Sequence, residues 1–175
     1  MPAQKKQDAI ALLTADHRKV EALFEKYESA RAKKADIAKQ ICMELTIHTM
    51  IEEEIFYPAC REGGADSDIM NEANVEHDGA KVLIAELENG SPDDEFYDAK
   101  VKVLSEEIKH HVKEEEKRGG VFTEARKAGL DLDALGEQMA AHKEEQMAQF
   151  EEKGLPAPVT LTMKAPPLEQ SQPLA

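Results

Sequence analysis

Apolar residues recur along this chain at spacings of three and four, the period of a helix with one buried face, in five successive long stretches. The first predicts a helix over residues 7–31, with Ile10, Leu13, Val20, Phe24 and Tyr27 on its inner stripe. A turn rich in lysine and alanine leads to a second helix over 34–60, marked by Ile37, Ile41, Leu45, Ile55 and Ala59. The third, over 66–89, carries Ile69, Ala73, Ala80, Ile84 and Leu87, and the fourth, over 94–118, carries Tyr97, Val101, Leu104 and Ile108. A short helical piece over 121–128 precedes a fifth helix over 132–153, whose Leu132, Leu135, Met139, Met147 and Phe150 can pack against the others. Gly63 with Gly64, the run Gly90, Ser91, Pro92 and Asp93, and Gly119 with Gly120 supply the breaks and helix starts. From Gly154 onward the composition turns to proline with almost no charge and no helical period, which predicts an extended or disordered tail available to drape on a neighbour. Two regions follow: a helical bundle with an appended helix over 1–153, and the tail over 154–175.

Each of the first four stripes has gaps, and ionisable residues fill them. His17 occupies one on the first helix, His48 and Glu52 two on the second, His77 one on the third, and His111 and Glu115 continue the stripe of the fourth. Glu53 and Glu54 rotate off the inner face and read as solvated. His110 sits about 100° from His111, on a flank shared with Glu107 and Glu114, and stands as its alternative. In an up-down-up-down bundle, residues equidistant from a turn share one height. His17 and His48 each lie about fifteen residues from the first turn, and the His48 and Glu52 pair matches His77 across the second. His111 and Glu115 join them if the third connection is long, spanning about 89–96.

Composition narrows the fold to all-α. Charged residues make up 33% of the 175 positions and aromatic ones 5%, a balance suited to long surface-charged helices and not to a sandwich or barrel. Acidic residues number 36 against 22 basic ones, a net charge of -14 that disfavours nucleic acid and anionic membrane surfaces as partners. There is no apolar run of about 18 residues and no export-signal pattern at the start. Cys42 and Cys60 fall on one predicted helix roughly 27 Å apart, so they cannot pair with each other, which fits a reducing cytoplasm.

Six ionisable groups converging in a dry core without a basic partner would be badly destabilising, and a bound cation accounts for all six together. Imidazole with carboxylate and no thiolate suits iron, manganese or zinc and argues against calcium or magnesium. Two carboxylates able to bridge, with histidines on four sides, suggest two ions. The set departs from a ferritin-like site, which wants Glu-x-x-His on two helices; Glu107 with His110 is the one such match and points off the stripe. No HExxH zinc-protease pattern is present.

The order H, HxxxE, H, HxxxE resembles the hemerythrin-like, or HHE cation-binding, family. The phrases LLTADHRKVEALF around His17, FYP after His48 and Glu52, EHDGAKVLIAELE around His77 and IKHHVKEEE around His111 and Glu115 are similar too, and together they span about residues 8–118. The resemblance implies a four-helix bundle holding two iron ions joined by carboxylates and an oxo or hydroxo group, with His17, His48, Glu52, His77, His111 and Glu115 as ligands; manganese and zinc are lesser alternatives. In the oxygen carriers a second histidine stands four positions before or after the one on the third helix. Here those positions are Ala73 and Lys81, so water, a further carboxylate or tyrosine, or an outside side chain such as His142 would complete one ion. The stretch KRGGVFTEAR also departs from the shorter link to Phe-Pro expected there.

Three functions compete at this stage: a di-iron protein that binds or senses dioxygen, iron or a related small molecule; a di-iron redox enzyme acting on peroxide or nitric oxide; and a metal-free helical interaction protein. The sequence leaves open whether the chain is an enzyme, and its oligomeric state.

Overall fold

The structure, a computed structural model, describes residues 7–164. Four long helices run up, down, up and down: α1 (Ala9–Ser29), α2 (Lys34–Ile51, prolonged by a π-helical turn Glu52–Phe56 and by α3, Tyr57–Glu62), α4 (Ser67–Asn89) and α5 (Tyr97–Glu116). A short α6 (Val121–Lys127) and a long α7 (Leu132–Lys153) follow, and no strand occurs among the described residues. The bundle closes on itself, α1 packing on α2 and α5, and α4 on α2 and α5. Asp8, Asp66 and Asp131 cap three helix starts by accepting the amides of Ala11, Asp68 and Ala134.

The core divides into two apolar clusters. One, around Phe24, Ile41, Leu45, Ile84 and Leu104, fills the end nearest the first and third turns. The other, around Leu13, Phe56, Met70, Phe122 and Met139, fills the opposite end and takes in α6 and α7. The histidines and glutamates of the interrupted stripes form the polar layer between them.

One element differs from the expected regular helix, and it moves residues. The amide of Tyr57 bonds to the carbonyl of Glu52, five residues back, so the turn is one residue wider than an α turn. Pro58 lies in the first turn of α3, where its missing N–H costs nothing; in an unbroken α-helix its ring would press on the Glu54 carbonyl. The extra residue rotates the inner face, so Phe56, Tyr57 and Cys60 are buried where Ile55 and Ala59 were expected, and those two are half-buried. On α4, Met70 is likewise more deeply buried than Ile69.

The appended α7 lies against α1 and α2 at the height of the polar layer. Gly136 makes this approach possible, since a Cβ there would stand 2.4 Å from the Gln7 carbonyl oxygen. Residues 154–164 form no helix and return to the chain's own bundle at Asp78; the remainder of the expected tail, 165–175, lies outside the described residues.

Candidate metal centre

All six stripe residues meet between the two apolar clusters, none more than 4% exposed. α1 contributes His17, α2 His48, the π turn Glu52, α4 His77, and α5 both His111 and Glu115. The four imidazoles converge through Nε2: His17 and His48 approach to 3.2 Å, as do His77 and His111. Glu52 Oε2 lies 3.3 Å from His48 Nε2 and 3.2 Å from His77 Nε2, while Glu115 Oε2 lies 3.3 Å from His17 Nε2 and 3.6 Å from His111 Nε2. Two groups able to hold a metal ion result, His17, His48, Glu52 and Glu115 in one and Glu52, His77 and His111 in the other, sharing Glu52.

Each imidazole also faces outward to a carboxylate. His17 Nδ1 is 2.8 Å from Glu116, His77 Nδ1 3.0 Å from Glu53 and His111 Nδ1 2.7 Å from Glu76. His48 Nδ1 stands 3.8 Å from Asp16, beyond hydrogen-bond reach. A neutral imidazole that donates Nδ1–H to a carboxylate presents a bare lone pair at Nε2, the form a metal ligand takes. Lone pairs 3.2 Å apart repel unless a proton or a cation lies between them. Asp16 and Glu116 are in turn held by Lys143 and Arg18.

The carboxylates report the same need for positive charge. Burial and the neighbouring Glu115 charge push the Glu52 carboxyl well above its ordinary range. Burial also acts against Glu115, but His111, His17 and His48 outweigh it and hold that carboxyl far below. Burial and the charge of His17 bring His48 down to about 4, so it is neutral at pH 7. Glu52 Oε1 and Glu115 Oε2 are buried without a hydrogen-bond partner among the described residues. Buried carboxylate oxygens beside inward-facing imidazole nitrogens are the donor set that a first-row transition metal takes once protons leave, so the residues fit a cation.

Four residues outside the six complete the site. Tyr57 donates its hydroxyl to Glu115 at 2.6 Å, lies 3.4 Å from Glu52 and stacks on His77 with ring centroids 5.6 Å apart. Phe122 stacks on His17 at 5.7 Å and meets Phe56 edge-on, closing that end of the bundle. It gets there because Gly119 adopts a φ of +82° and Gly120 passes so close to the Glu115 carbonyl oxygen that a Cβ would stand 2.6 Å from it. Glu53, expected to be solvated, instead joins His77 to Lys81, which it meets at 2.8 Å. Glu76 likewise serves His111 from a neighbouring helix.

The alternatives resolve by position. His110 is largely exposed and reaches Glu76 from outside, whereas His111 faces inward. His142 on α7 pairs with Glu54 at 2.9 Å and does not join the converging groups. Lys81, in one of the two places where the carriers present a second histidine, turns its ammonium to Glu53 and Asp78. The cysteines are buried and free, their thiols pushed by burial up to about 12. No helix is long and apolar enough to cross a membrane among the described residues.

The fold is shared with a crystal structure of a hemerythrin HHE cation-binding domain-containing protein from Mycobacterium kansasii. The two are 21% identical and superpose with a TM-score of 0.71, over 85% of this chain and 95% of that one. No curated protein matches the sequence. The family described as hemerythrin HHE cation-binding domain matches residues 8–118, well over half of the chain and every element of the polar layer. The chain therefore belongs to the hemerythrin HHE cation-binding domain family.

Proposed function

We propose that the chain is a non-haem di-iron protein that binds a small molecule, dioxygen or one of its size, with His17, His48, Glu52, His77, His111 and Glu115 as ligands. The pairing of the imidazoles carries this reading. Each pair brings two Nε2 atoms to 3.2 Å, a separation that two imidazoles holding one first-row ion would span. His17 with His48 would hold one ion and His77 with His111 the other. Glu52, within reach of both pairs, and Glu115, facing His17 and His111, would join them. Redox chemistry with dioxygen or peroxide is what two such irons supply when bound.

The chain's own residues limit what can reach them. A small space of about 10 Å³, walled by Asp16, Val20, Leu45, Thr49, Ile108 and Val112 beside the four histidines, is about the room one water molecule occupies. A space of that size favours a ligand of very few atoms over an organic substrate. Val20, Leu45, Ile108 and Val112 form its apolar wall, and Asp16, Thr49 and the four histidines line the rest.

A second reading, turnover of peroxide or nitric oxide, draws on two observations. Two imidazoles and two shared carboxylates would give each ion four protein ligands, and an open coordination position permits chemistry that a saturated one resists. Beside it stands the Tyr57 hydroxyl, a proton source within hydrogen-bond reach of Glu115. The metal-free reading leaves Glu52 Oε1 and Glu115 Oε2 buried without a hydrogen-bond partner among the described residues.

Metal analysis and an optical spectrum of protein purified with iron available test the proposal. Two irons per chain with charge-transfer absorption are expected; protein free of metal at neutral pH overturns it. Added peroxide then separates the readings, since sustained turnover identifies an enzyme and a single stoichiometric change identifies a binding protein.

A further inference from the structure

Beyond Gly154 the chain runs extended back to α4, where three consecutive amides converge on one carboxylate. Leu161 donates to Asp78 Oδ1 at 2.9 Å, and Thr162 and Met163 donate to Oδ2 at 2.6 and 3.0 Å. The Thr162 hydroxyl adds a fourth bond at 2.6 Å. Asp78 is wholly buried and follows His77 directly in sequence. One helical turn on, the Lys81 ammonium has a choice of two carboxylates, and it lies 2.8 Å from Glu53 but 3.4 Å from Asp78. Glu53 in turn receives His77 Nδ1 at 3.0 Å.

We propose that this strap is a positioning element of the metal site: by giving Asp78 four donors it leaves Lys81 to Glu53, and Glu53 so held fixes the His77 imidazole. The physical reason is competition. A buried carboxylate stripped of its donors is costly until it finds another, and Lys81 is its other described partner. Loss of the strap therefore draws the ammonium toward Asp78, leaves Glu53 with one partner fewer and loosens the ring it orients. Carboxylates that orient a ligating histidine typically change metal affinity by about 10- to 100-fold when lost. The strap lies outside the family's matched span of 8–118.

The full-length variant Thr162→Pro removes one amide and the hydroxyl from an exposed segment and leaves the bundle sequence intact. In metal-free protein, the NMR resonance of the His77 Nδ1 proton is expected to move upfield and to exchange faster with water. In iron-loaded protein, a measurement that rests on the proposed function, one metal equivalent is expected to leave to a chelator roughly tenfold faster than in the parent. The double variant Thr162→Pro with Asp78→Asn is expected to restore both, because the rival charge for Lys81 is gone. A strap that merely adds stability would make the double variant no better than the single one. An unmoved resonance in Thr162→Pro, which would mean that water and not Lys81 replaces the strap, overturns the inference, and so does a double variant that fails to recover. The resonance decides the matter even if the chain binds no iron, so failure of the function and failure of this inference are told apart.

Discussion

At the scale of single residues, Tyr57 is the side chain through which the site's chemistry can be separated from its assembly. Its hydroxyl is buried against Glu115 at 2.6 Å, and burial together with the charges of Glu115 and Glu52 pushes it well above the usual phenol range, so it acts as a donor. Tyr57→Phe should leave both metals bound and cost about 1–3 kcal/mol in metal-free protein, the value of a buried hydrogen bond to a charged group, read from urea unfolding. If the peroxide reading holds, turnover should fall while metal content stays. His48→Ala acts on the other property. It should lower the metal content and destabilise the loaded protein, since Glu52 loses a ligand partner; unchanged metal stoichiometry would refute His48 as a ligand. The six inward residues were legible because each interrupts an apolar stripe, a contrast that one sequence displays. Glu53, Glu76, Glu116 and Asp16 interrupt nothing, and among 36 acidic residues their spacing does not distinguish them. Only the packing of neighbouring helices selects the carboxylates that meet the outer nitrogens.

At the scale of elements, the π turn decides which residues surround the metal site. With its extra residue, Glu52 and Tyr57 both face inward five positions apart, a relation that an α-helix denies them. Pro58 was visible in the sequence as a feature near the helix end, but a proline announces a disturbance without stating whether the helix stops, kinks or widens. The expected burial of Ile55 and Ala59 failed for that reason. Removing one residue tests the account. Deleting Ile55 should close the turn to α and carry Phe56, Tyr57 and Cys60 onto the stripe at ordinary spacing, but Pro58 would then sit in a helix interior at a cost of about 3 kcal/mol. Combining the deletion with Pro58→Ala should recover most of that loss and keep the metal content. Thermal unfolding of the two proteins checks the difference, and equal stabilities would show that Pro58 is not what the π turn accommodates. Phe122 on α6 belongs to the same scale. Phe122→Ala should cost about 3–4 kcal/mol and speed metal loss to a chelator, because the ring both fills the core and covers His17.

For the molecule as a whole, counting residues from each turn was enough to place four stripes at one height, because an antiparallel bundle leaves little freedom once the length of each connection is set, the long third one included. The same arithmetic is silent about α7 and the strap, whose positions depend on a glycine contact and on one carboxylate and not on a period. What unites the molecule is charge. Without metal, Glu52 is raised, so the stability that its proton provides is fully present below the unfolded value of 4.5 and is lost as pH rises through its folded value. Glu115 is depressed, so its contribution is present above 4.5 and is lost as pH falls toward its folded value. Asp78, brought to about 2 from 3.8, adds to the acid loss in the same direction. A bound cation takes the place of the Glu52 proton and needs every ligand deprotonated, so it removes the loss on the alkaline side and weakens in acid. The rise in melting temperature that iron produces should therefore grow steadily from about pH 5 to pH 8, measured on loaded and metal-free protein at matched ionic strength. A rise independent of pH would mean that the ions bind without displacing the Glu52 proton, and Glu52 would then not be their ligand.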